Sequence, residues 1–221
     1  MQSSSQIPDS EGRSPNTLTL VTGPARSGKS EWAEWLATER EQAGQSVVYV
    51  ATSKLDPADA EWTERITKHQ RRRPQTWRCV EVPFAVADTV QNAAAANCLL
   101  VDSLGTWLAN GWDWEEEEWQ QQQDALVRSL QTCVCDVIVV AEETGWGVVP
   151  AYPLGRTFRD RLGSLTRRIG AIAHTTYLVT GGHVLNLSQL GTPLPPMPDS
   201  DFADPEPANP GSDHSKFSKT N

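Results

Sequence analysis

No stretch of this 221-residue chain approaches the roughly 18 consecutive apolar residues that a membrane-spanning helix needs. Residues 1–16, MQSSSQIPDSEGRSPN, lack the apolar middle of a secretory signal. Basic residues are scarce: 19 Lys and Arg stand against 28 Asp and Glu, for a formal net charge of -9. That deficit excludes the broad cationic surface with which proteins hold nucleic-acid backbones non-specifically. The four cysteines, Cys79, Cys98, Cys133 and Cys135, contain no CxxC pair, and no nearby histidine completes a zinc-ligand spacing. They are expected as reduced thiols. These absences together lead to the expectation of a cytoplasmic protein without membrane anchor or nucleic-acid partner.

Apolar residues are also thin at the ends. Residues 1–16 are rich in Ser, Pro and Gln, and residues 191–221 are crowded with Pro, Asp and Ser. Neither segment buries enough apolar surface to offset chain entropy, so both are expected to be disordered around a folded unit at 17–190. Inside that unit, TLTLVTG (17–23), SVVYVAT (46–52), NCLLVDS (97–103), DVIVVAE (136–142) and TTYLVTG (175–181) are short β-branched runs separated by helical patterns. Such runs predict a mostly parallel sheet covered by helices on both faces. Phe158, Leu162, Leu165, Ile169 and Ile172 recur at helical spacing behind Thr157 as N-cap, and are read as a core stripe. Residues 113–134 predict a second helix, capped by Asp113, with its acids in the first turn where the helix dipole favours them. Nine tryptophans serve either packing or an exposed interface.

The first predicted strand runs into GPARSGKS, residues 23–30, which fits GxxxxGK[ST], and then into a helical stretch. In that context Gly23 and Gly28 let the backbone turn, so that the amides of Pro24-Ala25-Arg26-Ser27-Gly28-Lys29-Ser30, proline excepted, converge on phosphate oxygens. Lys29 would bridge the β- and γ-phosphates, and Ser30 would hold Mg²⁺. A carboxylate at a later strand end normally completes such a site. Asp102 fits, and Glu142 and Glu143 compete with it.

A phosphate loop names the ligand and leaves the reaction open among a small-molecule kinase, a nucleotidyltransferase, a motor or switch ATPase and a regulatory module. RITKHQRRRP, residues 65–74, narrows the choice, because it follows a strand end on the sheet edge where the phosphate loop also opens. On a helix, Arg65, His69 and Arg72 share one face. Neighbouring cations disfavour the protonated ring and leave a neutral imidazole able to attack phosphorus; a solvent-facing histidine is the plain alternative. The loop 143–160 carries Gly145 and Gly147, expected to adopt unusual backbone angles, and Pro150, expected to stiffen the exit. Arg156, Arg159 and Asp160 are candidates for phosphate contacts, with an Arg159–Asp160 pair as the alternative.

Four ordered motifs, LVTGPARSGKSEWAE, VVYVATS with RITKHQRRRPQTW, LLVDSLGTWLAN, and EETGWGVVPAYPLGRTFRDRLGSLTRRIGAIA, resemble those of the bifunctional adenosylcobinamide kinase and adenosylcobinamide-phosphate guanylyltransferase family of cobalamin synthesis, over about residues 18–187. The resemblance implies a P-loop NTPase fold of the RecA-like kind. It also implies phosphorylation of adenosylcobinamide by ATP or GTP, followed by transfer of GMP from GTP through a guanylyl-histidine at the position of His69. Lys29 and Mg²⁺ would stabilise the departing oxygens, with Arg65 and Arg73 as phosphate contacts, in a homo-oligomer such as a trimer. Glu142 and Tyr152 stand where the family has Asn, and Thr166-Arg167 where it has Asn-Gln; these departures leave the phosphate loop and His69 untouched.

Overall fold

The computed structural model describes residues 16–54, 64 and 73–195. The expectations placed on the two chain ends and on the segment holding Arg65, His69, Arg71 and Arg72 lie outside the described residues.

Among the described residues seven strands form one sheet, in the order β3-β2-β4-β5-β1-β6-β7. The five anticipated runs are β1 (Leu18–Gly23), β2 (Ser46–Ala51), β4 (Asn97–Asp102), β5 (Asp136–Glu142) and β6 (Thr175–Thr180). Two short edge strands, β3 (Arg78–Glu81) and β7 (His183–Asn186), were not anticipated. All pairings are parallel except β6 with β7.

Alternation along the central strands divides the core into two layers, because successive side chains leave a strand on opposite faces. Leu18 and Leu20 of β1, Val48 and Val50 of β2, Leu99 and Val101 of β4, and Val137 and Val139 of β5 face one cluster. Val21, Val47, Tyr49, Cys98, Leu100, Ile138 and Val140 face the other. Burial on both faces explains why these strands read as nearly unbroken apolar runs.

Helix α1 (Lys29–Gln42) covers the second layer, with Ala33 and Ala37 fully buried one turn apart. The first layer is covered by α2 (Val86–Gln91), α3 (Leu104–Asn110), α4 (Glu116–Thr132) and α5 (Pro153–Ile172), and a last turn, α6 (Leu187–Leu190), follows β7. Both expected helices form, and both start away from the expected caps. Helix α4 begins after Glu115 rather than at Asp113: Trp114 packs against Trp107 at 5.3 Å and Trp119 at 6.4 Å between ring centroids, and this holds the preceding residues in a turn. Helix α5 begins at Pro153, whose fixed φ suits a first turn, so Thr157 lies inside the helix and caps nothing. Its stripe of Leu162, Leu165 and Ile169 is fully buried, as expected. Among the described residues no helix is long and apolar enough to cross a membrane, and all four cysteines are free thiols.

Candidate nucleotide site

Strand β1 delivers the chain at Gly23 to the carboxyl edge of the parallel strands, where the Gly23 carbonyl accepts from the Glu143 N–H at 2.8 Å. A Cβ on Gly23 would lie 2.3 Å from the Val179 carbonyl oxygen and 2.8 Å from Ser27 Oγ. Glycine is needed there for close approach, not for the turn expected of it. The turn comes at Arg26, φ 58°, and Gly28, φ 94°, and is closed by the Ser27 N–H donating to Pro24 O at 3.3 Å. Gly28 is the N-cap of α1 and brings no side-chain cap, which leaves the first amides of that helix to a ligand, at the end where the helix dipole favours an anion.

Lys29 is 7% exposed, and its ammonium donates to Pro24 O across the loop at 3.3 Å. The Ser30 hydroxyl stands 3.4 Å from Asp102 Oδ1 at the end of β4. The Tyr49 hydroxyl, from β2, donates to the other carboxylate oxygen at 2.7 Å, and burial together with the Asp102 charge holds the Tyr49 phenol well above its ordinary pKa. The Arg73 guanidinium lies over the Tyr49 ring, 3.3 Å from its centroid. Among the described residues, Thr22 Oγ1, Ser27 Oγ and Arg73 Nε are buried with no hydrogen-bond partner, an arrangement that a polar ligand relieves.

The two competing carboxylates are engaged elsewhere. Glu142 accepts from Ser103 Oγ at 2.6 Å and from the Gly105 N–H at 2.9 Å, at the start of α3. A Cβ on Gly105 would stand 2.2 Å from Glu142 Oε2, so the glycine makes room for this carboxylate. Glu143 accepts from the Gly145 N–H at 2.7 Å. Of the three, Asp102 is the one hydrogen-bonded to Ser30.

A polar knot beside the site was missed from sequence. Fully buried Thr52 accepts from the Ser103 N–H and donates to Ser103 O, both at 2.8 Å, and contacts Thr106 Oγ1. Asn110 donates to Thr52 O at 2.6 Å and to Pro83 O at 2.9 Å. The knot fixes where the chain leaves β2 toward the basic segment. Its legible signal was the Ser103-x-x-Thr106 spacing, which forms a capping box.

The loop after β5 differs from expectation. Neither Gly145 nor Gly147 has a positive φ, and a Cβ on Gly147 would meet open space. Arg156 donates to Pro150 O at 3.1 Å and Ala151 O at 2.9 Å, fastening the loop to α5, while Arg159 pairs with Asp160 at 2.9 Å.

Asp102 and Ser30 supply hard oxygen donors suited to Mg²⁺, which usually keeps several waters beside one or two protein ligands and the substrate phosphates. Among the described residues no group of three or more His, Cys, Asp or Glu forms a metal cluster.

Residues 19–187 match the family model described as cobinamide kinase / cobinamide phosphate guanyltransferase. The chain is 39% identical over 178 residues to the bifunctional adenosylcobalamin biosynthesis protein CobP of Pseudomonas aeruginosa, covering 79% of this chain and 98% of that protein. It is 33% identical over 180 residues to the bifunctional adenosylcobalamin biosynthesis protein CobU of Escherichia coli, covering 75% and 96%. Among solved structures it is similar to the flagellar accessory protein FlaH of Methanocaldococcus jannaschii, at 18% identity and a TM-score of 0.43, over 78% of this chain and 76% of that one.

Proposed function

The chain belongs to the cobinamide kinase / cobinamide phosphate guanyltransferase family and is a bifunctional enzyme of that kind, and from this premise we propose how its own residues divide the work. In the kinase step, the amides of residues 25–30 and the Lys29 ammonium cradle the triphosphate while a substrate hydroxyl attacks the terminal phosphorus; the new O–P bond forms as the P–O bond to the departing nucleoside diphosphate breaks, and the hydroxyl proton is released to solvent. In the transfer step, an imidazole nitrogen of His69 attacks the α-phosphorus of GTP. The N–P bond forms as the P–O bond to pyrophosphate breaks. A phosphate oxygen of the phosphorylated cobinamide then attacks the same phosphorus and releases the imidazole. Ser30 and Asp102 would hold Mg²⁺ through hydroxyl and water, and the ion when bound neutralises charge on phosphate oxygens. Arg65 and Arg73 would contact phosphates, and ATP or GTP would serve the first step.

The observation that carries this reading is the apposition of Ser30 and Asp102 at the mouth of the phosphate loop, with Arg73 seated next to them on Tyr49. Arg73 follows His69 by four residues in the chain. The acidic balance of the chain, -9 overall, fits small-molecule substrates rather than nucleic acid. We propose that the enzyme is cytoplasmic and a homo-oligomer, with the trimer as the state proposed. His69→Ala is expected to abolish the covalent GMP adduct while leaving phosphorylation of cobinamide, because Lys29 and the metal act on a different bond. Intact mass after incubation with GTP tests this; an undiminished adduct in the variant would refute the assignment.

A further inference from the structure

We infer that Tyr49 is a positioning residue for Asp102: its hydroxyl fixes one carboxylate oxygen so that the other stays turned toward Ser30, and Arg73 packed over its ring keeps the phenol in place. The inference rests on the reading of Asp102 as the metal-side carboxylate. A carboxylate at a strand end turns freely about its last torsion unless something holds it. Here Oδ2 accepts from Tyr49 at 2.7 Å and Oδ1 stands 3.4 Å from Ser30 Oγ. The tyrosine has little freedom of its own. It is 2% exposed, packed in the layer beneath α1 with Val21, Ala33 and Leu100, and covered by a guanidinium 3.3 Å from its ring centroid. Burying a phenol costs free energy unless its hydroxyl is bonded, and the bond it makes is to Asp102. Tyr49 also occupies a β2 position whose neighbours Val47 and Leu100 are plainly apolar, where a purely structural need would be met by an aliphatic residue or phenylalanine.

Groups that orient a metal ligand from behind typically cost about 10- to 100-fold in metal affinity when removed. Tyr49→Phe deletes the hydroxyl and keeps the ring on which Arg73 rests. The measurement is Mn²⁺ affinity, by electron paramagnetic resonance of the free ion, for protein saturated with a non-hydrolysable GTP analogue. It is made on wild type, Tyr49→Phe, Asp102→Asn and the double variant. We expect Tyr49→Phe to weaken Mn²⁺ binding about tenfold while affinity for the analogue without metal is unchanged. We also expect the double variant to bind no more weakly than Asp102→Asn alone, since the hydroxyl acts only through the carboxylate. Additive losses, or wild-type Mn²⁺ affinity in Tyr49→Phe, would overturn the inference. Wild-type affinity in Asp102→Asn would instead overturn the reading on which it rests. General loosening of the core would not give the non-additive pattern, and folding of each variant is followed by its melting temperature.

Discussion

At the scale of single residues, the site depends on contacts that leave no tolerance. Gly23 lies so close to the Val179 carbonyl that any side chain must move backbone. Gly23→Ala is therefore expected to lower GTP affinity at least tenfold and to reduce stability by about 1–3 kcal/mol, the usual cost of overpacking; calorimetric titration and thermal melting would check both. Cys98, fully buried on β4, has its thiol pushed up to about 12 by burial. In the unfolded chain a thiol titrates near about 8.5. The unfolded state therefore loses a proton that the folded state keeps, and the stability from this group, intact below that value, drains away as pH rises toward 12. Cys98→Ala is expected to flatten the fall in urea midpoint between about pH 8 and pH 10 relative to wild type. The phosphate loop was legible at this scale because its spacing encodes a backbone shape. The reason for Gly23 was not, because it depends on a carbonyl of Val179, 156 residues away in sequence. Nor was it legible that Ser103 and Gly105 engage Glu142 while Ser30 lies against Asp102, since these contacts join segments far apart in the chain.

At the scale of elements, existence was easier to read than boundaries. The stripe of α5 was legible because its buried residues recur at helical spacing, and the central strands because burial on both faces makes them nearly unbroken apolar runs. The edge strands β3 and β7 were not, since their residues are mostly exposed and carry no apolar pattern. The start of α4 escaped because tertiary packing of Trp114 outweighs the capping preference of Asp113. Among the described tryptophans, Trp107 on α3 and Trp119 on α4 are buried in the first layer and serve packing, whereas Trp112 is 63% exposed. Trp119→Ala is expected to cost about 3–5 kcal/mol by leaving a cavity, and Trp112→Ala less than about 0.5 kcal/mol. Chemical denaturation of the two variants side by side would show whether the helical layer depends on that aromatic cluster.

At the scale of the whole molecule, the parallel sheet gathers residues far apart in sequence onto one edge: the phosphate loop after β1, Tyr49 on β2, Asp102 at the end of β4 and the Glu143 amide after β5. That convergence follows from parallel pairing, which sends every strand end to the same side. It was legible in outline once alternating strands and helices were recognised, although the strand order that sets β1 between β5 and β6 was not, since no local pattern names a partner. The central claim is that this edge serves two displacements, one on the terminal phosphorus and one on the α-phosphorus through His69. The most direct test is peptide mapping by mass spectrometry after incubation with GTP and Mg²⁺ in the absence of cobinamide. An acid-labile GMP group is expected on His69, and it disappears when phosphorylated cobinamide is added. A GMP group on another residue, or none in a preparation that turns over, would contradict it.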